Sequence, residues 1–117
     1  MKLKAILPSL KQKKRYVVYE IISEKAIGSY ANVRESLMAR IISFLGELGA
    51  AEAGIIMLDD KYDSKKQRGI IKVGNRYVDK LKAALTTLDK IGRQKAIVRS
   101  VGVSGILNKA EKRYLIG

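Results

Sequence analysis

Apolar and polar positions follow two different periods along this chain, and the changes of period mark its elements. Tyr16-Val17-Val18-Tyr19-Glu20-Ile21-Ile22 is rich in β-branched and aromatic residues with little polar interruption, which predicts a buried strand. A loop over residues 24–31 contains Gly28 and Ser29. Beyond it Val33, Leu37, Ile41, Leu45 and Leu48 recur at helical spacing and form a predicted core face. Asn32 is the predicted start of that helix, with Glu35 three residues on as its capping-box partner. Gly46 weakens the last turns and Gly49 is the predicted stop.

Ile55-Ile56-Met57-Leu58 predicts a second short strand, the polar run over residues 59–67 a turn or hairpin loop, and Gly69-Ile70-Ile71-Lys72-Val73 a third strand. Asn75 can cap a second helix whose face is Val78, Leu81, Leu85 and Leu88. Gly92 breaks the pattern, and Ala96-Ile97-Val98-Arg99-Ser100-Val101 predicts a fourth strand. Ser104 can cap a final short helix over residues 105–114. The order β-α-β-β-α-β, then a helix, predicts an α+β fold of the ferredoxin-like (RRM-like) kind. It has a four-stranded antiparallel sheet with two helices on one face, plus the C-terminal helix.

Charge adds function to this picture. The 117 residues suit one domain and carry 24 Lys+Arg against 11 Asp+Glu, a net charge of +13. A field that positive attracts polyanions, above all nucleic acid. The chain is therefore expected to be a single RNA-binding domain over 1–117. Residues 1–14 hold Lys2, Lys4, Lys11, Lys13 and Lys14, hold no acid and are broken by Pro8, which predicts a basic arm that is flexible when free. There is no Cys, hence no disulfide framework or thiolate zinc site, and a reducing cytoplasm fits. No His is present, which removes the usual general base and the commonest metal ligand. No apolar run approaches the ~20 residues that span a bilayer, and the start of the chain does not read as a signal peptide.

The candidate contacts are basic clusters. Lys11, Lys13, Lys14 and Arg15 form one; Lys65, Lys66 and Arg68 a second; Lys72, Arg76, Lys80 and Lys82 a third. Phosphate contact needs only charge and reach, so these predict affinity without sequence reading. Stacking of bases on the sheet is disfavoured. Ile70, Ile71 and Val73 stand where RNA-recognition motifs need aromatics, and Tyr16 and Tyr19 point to opposite faces. The Ile-rich strands predict that the second sheet face is covered by the last helix or by a protein. Ser104 and Gly105 could present backbone N–H groups to an anion at a helix start, or make an ordinary turn and cap. Asp59, Asp60 and Asp63 lack the rest of a calcium loop and read as a solvated hairpin.

Several stretches together resemble the archaeal ribonuclease P protein component 2 family. They are Lys14-Arg15-Tyr16 with Glu20-Ile21-Ile22-Ser23, Arg68-Gly69-Ile70-Ile71-Lys72-Val73, Tyr77-Val78-Asp79 with Ala83-Ala84-Leu85, and Arg99-Ser100-Val101-Gly102-Val103-Ser104-Gly105. After Gly105 the sequence departs from that pattern, with Ile106-Leu107-Asn108-Lys109 where a Thr and a basic pair stand in the family. The resemblance implies a non-catalytic subunit of the ribonucleoprotein that removes the 5′ leader from precursor tRNA. It implies that Mg2+ is bound by the RNA subunit, which cleaves, and that no cofactor is bound by this chain. It also implies two protein contacts: a TIM-barrel subunit (component 3), and self-association within a heterotetramer. The residues alone leave a second reading open, another RNA-scaffold protein such as a ribosomal protein.

Overall fold

The computed structural model describes residues 13–116, so Lys11 and most of the predicted arm lie outside the described residues. Strand β1 spans Lys14–Ser23, and Lys14 is therefore strand rather than arm. Helix α1 is Tyr30–Ala53, β2 Ile56–Met57, β3 Arg68–Gly74, α2 Val78–Thr86, β4 Lys90–Ile91 and β5 Gln94–Ser104. Helix α3, Leu107–Ala110, continues into π-helical turns over Glu111–Ile116. The strands form one antiparallel sheet in the order β2-β3-β1-β5-β4. The predicted ferredoxin-like order is present with a fifth strand added at the edge. A two-residue strand is too short to show a period, and Gly92 (φ 62) turns it back onto β5.

The central strand β1 is buried on both faces over Val17–Tyr19, while Ile22, predicted as part of the buried run, is exposed. Val17, Tyr19 and Ile21 pack with Ile71, Val73 and Val98 beneath Val33, Leu37 and Ile41 of α1 and Leu81 and Leu85 of α2. On the opposite face Val18 and Ile70 pack against Ala110 and Leu115, with Tyr16, Leu107 and Tyr114 at the margin. The last helix thus covers the middle of the second face. Tyr16 lies in this cluster and Tyr19 in the main core. At one end of that face Ile22 and Ile97 stay uncovered, 48% and 63% exposed.

The ends of α1 differ from expectation. Ser29, in extended backbone, is the N-cap and accepts from the Asn32 amide at 3.3 Å, so the helix starts at Tyr30. It does not stop at Gly49. Gly46 adopts φ 79, ψ 164 and kinks the helix, which resumes to Ala53 and closes on Gly54 in the left-handed conformation. The kink resets the helical phase. Leu48, in phase with Val33 and Leu37 on an unbroken helix, is consequently 62% exposed, and Leu45 is only partly buried.

Asn75 makes no side-chain cap either; a 3₁₀ turn over Asn75–Tyr77 leads into α2. Its amide instead donates to the Lys13 carbonyl at 2.8 Å. Leu88 lies beyond the end of α2 but is buried. No helix among the described residues is long and apolar enough to cross a membrane.

Candidate nucleic-acid interface

Strand register decides which cations share an end of the sheet. Lys14 pairs with Gly74, Arg15 with Val73, and Tyr16 with both Lys72 and Ser104. The start of β1 and the ends of β3 and β5 therefore form one end of the sheet. Lys13, Lys14, Arg15, Lys72, Arg76, Ser104 and Gly105 gather there, so parts of the first and third predicted clusters become one. None of residues 13–16, 72–78 and 101–110 is acidic. Lys13 and Arg76 are exposed, while Arg15 and Lys72 are half-buried.

The Arg15 guanidinium donates to the Lys14 carbonyl at 3.0 Å. It lies over the Ser104–Gly105 turn, where a methyl on Gly105 would sit 3.2 Å from Arg15 Nη1. Ser104 does not cap the last helix. Its hydroxyl accepts from the Ile106 amide at 3.1 Å and donates to the Ile106 carbonyl at 3.0 Å, and the helix begins at Leu107. The Ile106 amide is thereby occupied, so the positive charge at this turn comes mainly from Arg15.

The second cluster is elsewhere and is largely used within the fold. Arg68 pairs with Glu20 across β1 and β3, six residues along from the Lys14–Gly74 pair and so about 20 Å away. Its Nε donates to Glu20 Oε2 at 2.9 Å and its Nη1 to the Tyr114 carbonyl at 2.7 Å. Lys66 Nζ donates to the Leu115 carbonyl at 2.5 Å. Two cations thus hold the carbonyl end of the last helix, where the backbone dipole is negative. Lys61 adds an ion pair to Glu111 at 2.8 Å. Lys65 is exposed, and its amide and that of Lys66 donate to Asp63 Oδ1.

Asp59 accepts from Tyr30 Oη at 2.5 Å and from Arg34 Nε at 3.1 Å, tying the same loop to α1. Two of the three aspartates of residues 59–63 thus serve as hydrogen-bond acceptors that shape the loop. Lys80 and Lys82 lie on α2, and Lys80 Nζ stands 5.3 Å from the Tyr77 ring centroid.

Glu20 also accepts from Arg99 Nε at 2.7 Å, so one carboxylate joins two arginines beside the last helix. Burial pushes its carboxyl up, but hydrogen bonds and charge from Arg99 and Arg68 outweigh this and hold it below the ordinary glutamate range. A lowered folded-state pKa means that the stabilisation is complete above the unfolded value of about 4.3 and is lost as pH falls through the folded value. Glu20→Gln is therefore expected to cost about 1–2 kcal/mol at neutral pH and progressively less below pH ~4. Thermal unfolding of both proteins at pH 7 and pH 3 checks this; an equal difference at both pH values would contradict it.

The sequence pattern missed one more basic group. The β4–β5 hairpin brings Arg93 and Lys95 beside Lys25, with Lys90 paired to Lys95 across the hairpin, all four exposed. Lys25 is 65 or more residues from the other three, so only the strand pairing reveals the group. A cavity of about 710 Å³ adjoins this group, lined chiefly by Ile22, Leu88, Ala96 and Ile97 with Lys95 and Glu24 at its margin. Among the described residues no group of three or more acidic side chains could hold a metal ion.

The sequence matches the Rpp14/Pop5 family over residues 15–115, which takes in β1 through the last helix. The chain belongs to that family. It is 33% identical over 112 residues to ribonuclease P protein component 2 of Thermococcus gammatolerans, covering 96% of this chain and 91% of that protein. Identity to the Pyrococcus abyssi component 2 is 35% over 115 residues, with 98% and 95% covered. For the Archaeoglobus fulgidus protein it is 32% over 113 residues, with 97% and 98% covered. Among solved structures, a chain in the cryo-EM structure of yeast ribonuclease MRP matches with a TM-score of 0.55 at 15% identity. That match covers 80% of this chain and 75% of the other, and the likeness is one of fold. The match to the Rpp14/Pop5 family includes the whole basic sheet end except Lys13 and Lys14.

Proposed function

We propose that this chain is a non-catalytic protein subunit of ribonuclease P, and that it binds the catalytic RNA of that enzyme through the basic end of its sheet. The observation that carries the reading is the placement of Lys13, Lys14, Arg15, Lys72 and Arg76 at one end of the sheet, Arg15 and Lys72 on opposite faces of it, in segments without an acid. Membership of the Rpp14/Pop5 family, with relatives named ribonuclease P protein component 2, supplies the class of RNA.

The chemistry is electrostatic. Folded RNA crowds phosphates together, and cations carried on a sheet end whose backbone is already ordered lower their repulsion at the cost of side-chain ordering alone. The RNA, with its own Mg2+, cleaves the precursor tRNA; the protein shifts that RNA toward its active fold. Protein contacts belong to the same reading, with a TIM-barrel subunit and with a second copy in a heterotetramer. Uncovered apolar residues support such contacts: Ile42, Phe44 and Leu48 flank the Gly46 kink, and Ile22 and Ile97 end the second face.

A salt-series titration on ribonuclease P RNA and on an unrelated structured RNA of equal length tests the reading. Tighter binding to the ribonuclease P RNA, with a steep salt slope, is expected. Equal and salt-insensitive binding would overturn it.

A further inference from the structure

The four cations at the β4–β5 hairpin lie at the far end of β5 from the Ser104–Gly105 turn. That strand runs from Gln94 to Ser104, so the two ends are about 30 Å apart. We infer that the hairpin and the loop after β1 form a second RNA-binding surface. It grips the phosphodiester backbone of a segment distinct from the one held at the basic sheet end. The inference rests on the proposed function and extends it, because one chain would then join two segments of the RNA.

The hairpin is built as a fixed platform. Lys90 pairs with Lys95 and Ile91 with Gln94, leaving a turn of Gly92 and Arg93. Gly92, in the left-handed conformation, donates its amide to Ser36 Oγ of α1 at 3.3 Å. Gln94 Nε2 donates to the Lys25 carbonyl, which joins the hairpin to the loop after β1. That loop is itself pinned by Gln67, whose side-chain oxygen accepts from the Ile27 amide at 2.7 Å and whose Nε2 donates to the Ile21 carbonyl at 3.0 Å. Ser23 Oγ adds a bond to the Lys25 carbonyl at 2.7 Å. The backbone bearing the cations is therefore held from three sides.

The cations themselves are uncommitted. Lys25, Lys90, Arg93 and Lys95 are exposed, and none forms an ion pair among the described residues. This contrasts with Lys66 and Arg68, which hold the last helix. Two clefts flank the ridge. One, of about 560 Å³, is lined by Lys25, Gly28, Ser29, Asn32, Gly92 and Arg93, and the other, of about 360 Å³, by Glu24, Lys25, Gln94 and Lys95.

Lys25 lines both clefts and Arg93 and Lys95 stand one on each side, so a charged strand laid along the ridge meets cations in succession. Two carboxylates, Glu24 and Asp89, sit near the four cations and leave the surface positive. The apolar residues of the larger cleft, Ile27 and Ile91, are buried, so it offers no exposed apolar anchor for a protein partner. Exposed cations, small polar residues and glycine suit phosphate and ribose.

The probe is a short RNA stem-loop of a few base pairs, counted per protein chain by native mass spectrometry, beside a salt-series titration on the full ribonuclease P RNA. The wild type is expected to bind two stem-loops. K25A/R93A/K95A is expected to bind one and to lose about two units of salt slope on the full RNA, with thermal unfolding unchanged. K25E, on an exposed loop, moves both readings in the same direction should the triple variant fail to fold. Two stem-loops on the variant with the full salt slope would overturn the inference and leave the sheet-end reading standing. Loss of both stem-loops from a folded variant would overturn the separateness of the two surfaces. A wild type that binds no RNA would end both readings.

Discussion

Replacing Lys13, Lys14, Arg15 and Arg76 together with alanine is expected to weaken binding to ribonuclease P RNA by about 1,000-fold at 0.1 M salt. Each neutralised phosphate contributes somewhat under one unit to the slope of log affinity against log salt. Four contacts therefore account for about three decades between 0.1 M and 1 M salt. The loss should shrink as salt rises and nearly vanish at 1 M, because the removed term is counterion release.

The fold should survive. Lys13 and Arg76 are exposed, and Lys14 and Arg15 are the first two residues of β1, whose apolar packing begins at Tyr16 and Val17. A filter-binding or anisotropy series at several salt concentrations reads both quantities. A loss that is independent of salt would mean that these residues act through shape or packing, against the electrostatic account.

Gly69→Ala is expected to destabilise the protein by about 3 kcal/mol, or roughly 10 °C in Tm, without touching any cation. Gly69 faces Tyr19 across β1 and β3, and the Tyr19 ring lies over it. A methyl there would come within 2.6 Å of Tyr19 Cζ. The ring cannot step aside cheaply. Tyr19 is 1% exposed, stacks toward Tyr62 at 6.5 Å and sits in the main core. Burial pushes its phenol far above the ordinary tyrosine range, so it stays neutral and acts as packing.

Tyr19→Leu should shorten the side chain and relieve the collision. The double variant is then expected to cost less than the sum of the two single variants. Denaturant unfolding of the four proteins measures the coupling, and a Gly69→Ala protein within 0.5 kcal/mol of wild type would refute the packing argument.

The elements with strong periods were legible from sequence. The β1 stretch, the Val33-Leu37-Ile41 face and the Leu81-Leu85 face fix a sheet with helices, because burial imposes period on residue choice. Events without a period were not legible. The Gly46 kink carries one glycine as its only signal, and extrapolating the helical phase across it misplaces Leu48. The N-cap moved from Asn32 to Ser29 because both residue types can cap and only backbone geometry chooses between them.

The candidate site divides in the same way. Charge runs are visible in sequence, but their use is not. Lys66 and Arg68 look like Lys65 in a string of letters, yet they hold the carbonyls of Leu115 and Tyr114, 49 and 46 residues away. Lys25 and the β4–β5 hairpin become neighbours only through the sheet. Gln67, at φ 51 and 9% exposed, gives no pattern at all, although it pins the loop that carries Lys25.

The most direct test is the magnesium dependence of precursor-tRNA cleavage by ribonuclease P RNA, reconstituted with the TIM-barrel subunit proposed as a partner, with and without this chain. Neutralising RNA phosphates should let the RNA reach its active fold with fewer metal ions. The account predicts a clearly lower magnesium requirement with the wild-type chain, and a requirement shifted back toward the value without this chain with the four-alanine variant. The same magnesium requirement with and without the wild-type chain would contradict it.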